Sequence, residues 1–161
     1  MTRRGVRFAG RVISCAIGKG GVRRDKREGD GATPVGVHRI VAVLYRPDRV
    51  ARPCAWAKPI LPGDLWSDAS GEARYNQLVR APYGHSHEAM RRADPLYDIV
   101  LVTDWNWPVA EAGKGSAIFL HQWRRKGYPT EGCVAISRSD LCWITARLTP
   151  EARLIVPDGM V

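Results

Sequence analysis

Residues 119–137 read FLHQWRRKGYPTEGCVAIS. An apolar run ends on His121, a loop of charged and turn residues follows, and Gly132-Cys133 opens a second apolar run. Short apolar, β-branched runs bounded by glycine and proline read as strands. His121 and Cys133 therefore each stand where a strand meets a loop. Taken alone, a cysteine beside Val134 and Ile136 is a small core residue, and a histidine at a strand end is a satisfied polar group. If the two strands are neighbours, the side chains meet at the end of a sheet. An imidazole beside a thiol lowers its pKa from ~8.5 and readies the thiolate for acyl attack. Gly132 allows an unusual backbone angle and close substrate approach. The N–H groups around Gly132 and Cys133 are then candidates for an oxyanion hole. From the residues alone both readings stand.

Working outward, RFAGRVISCAIG (7–18) reads as a strand that ends in the turn GKGG. A polar loop leads to Pro34, and VHRIVAVLY resumes strand character. From Arg46 to Pro82, prolines and turn residues dominate, so loop with short strands is expected. HSHEAMRRA (85–93) has the composition of one short helix, while LYDIVLVTDWN, GSAIFLH and GCVAI read as buried strands. In SRSDLCWITARL the apolar residues Leu141, Ile144 and Leu148 follow a helical i, i+3, i+7 spacing, and Ser137 with Asp140 forms a capping signal. ARLIVPDG closes with a strand. The expectation is a mainly β fold with one or two packed helices, residues 1–161 forming one domain, a size that buries a core without staples.

The 161 residues carry a net charge of +9, which favours anionic partners such as nucleic acid, acidic lipid or an acidic polymer. The basic residues fall in scattered pairs (Arg23-Arg24, Arg91-Arg92, Arg124-Arg125), without a zinc-finger or RRM signature, so nucleic acid is not expected. The four cysteines have no CxxC spacing, and free thiols are expected. No apolar run reaches the ~20 residues of a membrane helix. VRFAGRVISCAIG is broken by Arg11 and glycines and reads as a strand, not as an export signal.

The other candidates are weaker. His85 and His87 form an H-x-H pair without further spaced ligands, so a polar loop outweighs a zinc site. GKGG lacks the GxxxxGK[ST] pattern and reads as a hairpin turn, not a phosphate cradle. Trp56, Trp66, Trp105 and Trp107 suit a sugar or peptide groove but suit packing better.

GSAIFLH…PTEGCVAI resembles the active-site signature of the L,D-transpeptidase catalytic domain, the YkuD-like family of peptidoglycan enzymes. His121, Thr130, Gly132 and Cys133 are the matching positions. GKGGVRRDKREGDGATPVG is similar to the family segment in which an acidic-Gly-Asp run precedes Thr-Pro-x-Gly, and YDIVLVTDWN to its central strand. DLWSDASGEARYNQLV resembles a Gram-negative subgroup with a Trp-x-Asp element and a Tyr-Asn pair. The chain departs from the pattern at Ala135, where many members carry arginine, and in a short loop between His121 and Cys133.

The resemblance implies an L,D-transpeptidase-like β-sandwich or barrel with one or two helices, and a location in the periplasm or cell envelope. It implies that Cys133 is the nucleophile and His121 the proton acceptor and donor, with the Gly132 backbone in the oxyanion hole. A tetrapeptide stem of peptidoglycan is the implied acyl donor, through a thioester, with no metal or organic cofactor. Transfer to a second stem gives a cross-link; water gives carboxypeptidase activity; a protein amine gives attachment. A non-catalytic wall-binding module is the alternative from another class. Thr130, Tyr75, Asn76 and Arg124 are the candidate substrate contacts, Tyr75 and Asn76 being equally suited to pinning the long loop.

Overall fold

The computed structural model describes residues 1–2 and 4–159. Among them are thirteen strands and one helix, so the fold is mainly β. In chain order the strands are β1 (Val6–Phe8), β2 (Arg11–Ile13), β3 (Val22–Arg23), β4 (Thr33–Pro34), β5 (Gly36–Tyr45), β6 (Lys58–Pro59), β7 (Asp64–Ser67), β8 (Leu78–Arg80), β9 (His87–Ala89), β10 (Ile99–Thr103), β11 (Phe119–Gln122), β12 (Val134–Ile136) and β13 (Arg153–Val156). Helix α1 spans Arg138–Thr145, between β12 and β13.

The main sheet has the order β12-β11-β10-β5-β13, with β6 added to β5. Its members are the apolar runs of the sequence, and β10 is buried along its whole length. β10 runs antiparallel to β5 and β11, and β11 runs parallel to β12. Because side chains alternate across a strand, the sheet feeds two cores. On one side Leu101, Leu120, Val134 and Ile136 pack with Leu141 and Ile144 of α1. On the other, Val100, Val102 and Phe119 pack with Trp66, Met90 and Tyr97. That second core is closed by the sheet β8-β7-β9, giving a β-sandwich. Full burial of each large apolar side chain contributes about 1.5–3 kcal/mol.

α1 forms where its pattern and cap direct it. The Ser137 side chain accepts from the Asp140 N–H, and Leu141 and Ile144 are about 1% exposed.

Three expectations are corrected. RFAGRVISCAIG is not one strand: it folds back at Ala9 (φ 44°) and Gly10 (φ 78°), so that Phe8 pairs with Arg11. Two positive φ values in sequence give the turn twist that joins antiparallel strands. HSHEAMRRA is not a helix: its middle is β9, with Trp66 opposite Glu88 and Ser67 opposite His87. Pairing to β7 and the burial of Met90 override local helix preference. GKGG is a turn, closed by Gly21 N–H to Gly18 O at 2.9 Å, but it joins no hairpin, because β3 beyond it runs parallel to β4.

The outer edge of β12 is covered by the segment 16–19. Ala16 and Ala135 exchange both backbone bonds, at 2.7 and 2.8 Å. Thr130 N–H donates to Ile17 O, and Lys19 N–H donates to Thr130 O.

Candidate active site

β11 and β12 position the histidine and the cysteine. His121 stands opposite Ala135, and Leu120 stands opposite Val134. Leu120, Val134 and Ile136 face the α1 core, which turns His121 and Cys133 to the opposite side of the sheet. The two are diagonal neighbours on one face of adjacent parallel strands, Cys133 standing two residues before the partner of His121. Both line a single cavity of about 240 Å³, together with Glu88, Arg92, Tyr97 and Arg124.

Residues 130–133 form a turn built to present the cysteine. The Thr130 hydroxyl donates to Cys133 O at 2.5 Å and accepts from Gly132 N–H at 3.2 Å. Gly132 has φ +140°, and a Cβ there would lie 2.9 Å from Ala32 O, so a side chain is excluded. The Thr33 hydroxyl donates to Gly132 O at 2.8 Å while accepting from Gly18 N–H at 2.9 Å. Thr33 belongs to the Thr-Pro-x-Gly run of the sequence, and this clamp is what that run supplies to the site. Among the described residues the Cys133 N–H has no hydrogen-bond partner, which leaves it available to an oxyanion.

The Cys133 thiol donates to Ala117 O at 3.0 Å and accepts from Phe119 N–H at 3.4 Å. Burial pushes its pKa up to about 12, and the negative field of Glu88 adds to the rise. His121 is 5% exposed, and burial depresses its pKa to about 4. Its Nδ1 lies 2.7 Å from Gln122 O, and because a carbonyl only accepts, Nδ1 carries the proton. The neutral ring then holds its lone pair on Nε2. The pair rests as neutral thiol and neutral imidazole, with the thiol turned toward Ala117 O.

Three residues of the cavity were not singled out by sequence reasoning. The Tyr97 ring packs edge-on against His121 at 5.3 Å and fixes its plane. The Tyr97 hydroxyl donates to Glu88 Oε2. Arg92 lies over the Tyr97 ring at 5.2 Å and is held by both oxygens of Asp94. The only sequence signal for Glu88 was its position within HSHEAMRRA, where a helical reading hides the alternation of exposed His87, half-buried Glu88 and exposed Ala89.

Of the expected substrate contacts, Thr130 and Arg124 line the cavity, Arg124 as an exposed rim residue. Tyr75 and Asn76 lie elsewhere and are buried. Asn76 (φ 56°) donates to Trp105 O and Asn106 O and accepts from Trp66 Nε1 and Ala117 N–H. The Tyr75 hydroxyl donates to Glu28 and accepts from Gly115 N–H. Their polar groups are spent on holding the 105–117 loop, so the geometry makes them loop pins, not cavity walls. Through Ala117 that loop sets the carbonyl against which the thiol rests. Ala135 stands beside His121 in the ladder and lines the cavity with a methyl group, leaving that part of the floor open.

The H-x-H pair bonds locally: His87 Nδ1 lies 2.7 Å from His85 O, and His85 pairs with Glu72. Trp66 is a core residue, and Trp56 Nε1 donates to Leu148 O at 3.4 Å.

Comparison with curated proteins and with solved structures gave no match. The family model described as the L,D-transpeptidase catalytic domain, YkuD, matches residues 2–156, which takes in every strand, the helix and every residue of the cavity. With that span, the chain belongs to the YkuD family of L,D-transpeptidase catalytic domains.

Proposed function

We propose that this chain is a cysteine-dependent L,D-transpeptidase of peptidoglycan, with residues 1–161 acting as one catalytic unit in the cell envelope. The observation that carries the reading is the placement of Cys133 and His121 on one face of adjacent parallel strands, around one cavity.

The chemistry follows from the resting pair. The thiol swings from Ala117 O toward Nε2 of His121 as a stem peptide enters. His121 takes the thiol proton while sulfur attacks the carbonyl of the third stem residue. The Cys133 N–H, presented by the Gly132 turn, receives the developing oxyanion. The protonated imidazole gives its proton to the departing D-alanine amine, leaving a thioester. An amine of a second stem resolves it to a cross-link. Keeping both partners neutral until substrate arrives protects the sulfur from adventitious alkylation and oxidation, because the thiolate is the reactive form. Arg124 at the rim suits the carboxylates of the stem.

The test is covalent labelling. Incubation with a carbapenem-type β-lactam should add one drug mass to the intact protein, and Cys133→Ala should abolish the adduct without loss of folding. A wild-type protein that stays unlabelled, or a Cys133→Ala protein that still labels, overturns the enzyme reading in favour of a wall-binding module. Product analysis with and without an acceptor stem separates transpeptidase from carboxypeptidase.

A further inference from the structure

The cavity beside Cys133 contains a carboxylate that the acylation chemistry does not use. Glu88 extends from β9, and its Oε2 accepts from the Tyr97 hydroxyl. Among the described residues Glu88 makes no ion pair, and its Oε1 has no hydrogen-bond partner, yet it is not sealed from the cavity that the residue lines. The neighbouring cation is already committed: Arg92 is bound through two nitrogens to Asp94. Lys26, which also acts on the site, is bound to Asp30 at 2.7 Å. The other carboxylates near Glu88, Asp68 and Glu28, add negative field, and one oxygen of Asp68 is buried without a partner.

A half-buried, unneutralised carboxylate next to a nucleophilic thiol works against acylation, since its field opposes thiolate formation. Its placement makes sense if a cation arrives there later. The exposed rim carries Arg124, with Arg125 beside it, both stacked on Tyr128 at 5.5 and 5.0 Å, and Glu131, which is paired with Lys19. With Arg92 bound to Asp94 and Glu131 to Lys19, the charges of the cavity left without an ion pair are Glu88 on the half-buried wall and Arg124 at the exposed rim. That polarity fits a group carrying an ammonium at its leading end and carboxylates behind.

We infer that Glu88 is the seat for the acceptor: it binds the primary ammonium of the incoming amine beside the thioester and takes its first proton. This rests on the transpeptidase reading and adds to it the group that selects amine over water. In the step, one N–H bond of the ammonium breaks and its proton passes to Glu88. The nitrogen lone pair forms the new C–N bond, and the C–S bond breaks with its electron pair going to Cys133 Sγ. The second nitrogen proton reaches sulfur through His121, and Glu88 releases its proton to solvent. The sum is thioester plus ammonium giving amide, thiol and one proton.

The experiment compares wild type with Glu88→Gln in three reactions: acylation by a β-lactam that carries no amine, transfer from a tetrapeptide donor to an ammonium acceptor, and transfer from the same donor to hydroxylamine, which is uncharged at neutral pH. Glu88→Gln should acylate at least as fast as wild type, with iodoacetamide alkylation of Cys133 displaced to lower pH. Transfer to the ammonium acceptor should fall about 10- to 100-fold relative to transfer to hydroxylamine, the loss expected for one charged hydrogen bond. Tyr97→Phe, which frees Glu88 but keeps the packing, should give a smaller shift in the same ratio. Unchanged selectivity between the two acceptors in both variants overturns the inference, as does an equal fall in all three reactions with the fold intact. Failure of wild type to acylate at all overturns the transpeptidase reading instead.

Discussion

β11 and β12 carry two surfaces back to back. One face presents Leu120, Val134 and Ile136 to α1, all 0–3% exposed and wholly apolar. The other presents His121 and Cys133 to a cavity that also holds Glu88, Tyr97 and Arg92. A strand that alternates in this way supports chemistry on one side with a close-packed wall on the other. Rigidity and reactivity are separated by one residue of sequence. The hydrogen bonds that fix the Gly132-Cys133 turn, from Thr130 and Thr33, lie along the same boundary.

The comparison is broken most severely by His121→Gln. It keeps a polar side chain in the cavity but removes the proposed base, so acylation should fall about 10²- to 10⁴-fold. Stopped-flow acylation with a chromogenic β-lactam, alongside a thermal melt, reads both faces at once, and a large loss of stability with little loss of rate would invert the assignment. The mirror experiment is Ile136→Ala, on the core face. It should cost about 2–5 kcal/mol in denaturant unfolding, while the protein that remains folded acylates at nearly the wild-type rate. A rate that fell as steeply as in the His121 variant would show that the two faces are not separable.

Acid sharpens the contrast with a smaller effect. His121 is depressed from 6.5 to about 4, so between those values the unfolded chain binds the proton that the folded chain refuses. Stability is therefore full above pH 6.5 and declines as pH falls toward 4, by up to roughly 3 kcal/mol. His38 on β5, also depressed by burial, acts in the same direction. Urea titrations at stepped pH should show His121→Gln flattening part of the decline. An unchanged slope would mean that His121 titrates freely and is not enclosed.

The sequence announced the apolar strands, the capped helix and the coincidence of His121 and Cys133 with strand ends, because each of these depends on period or on local spacing. It hid what depends on partners far along the chain. Glu88 sits in a segment whose residues favour helix, and only pairing to Trp66 on β7 makes it a strand residue facing the cavity. Asn76 looked equally suited to substrate and to packing. Its four internal bonds, to residues 66, 105, 106 and 117, exist only once the loop has closed. The fold at Ala9-Gly10 was missed because alanine is a rare occupant of a positive-φ turn position.

The clasp between residues 16–19 and the 130–135 segment has a consequence in time. Ala16 and Ala135 hold each other's amides, while the Thr130 N–H is held by Ile17 O and the Lys19 N–H by Thr130 O, so parting the two segments frees all four amides together. Local opening proceeds in such cooperative units. The turn that presents Cys133 thus shares its lifetime with a stretch of chain more than a hundred residues earlier, and deuterium uptake in one should report the opening of the other.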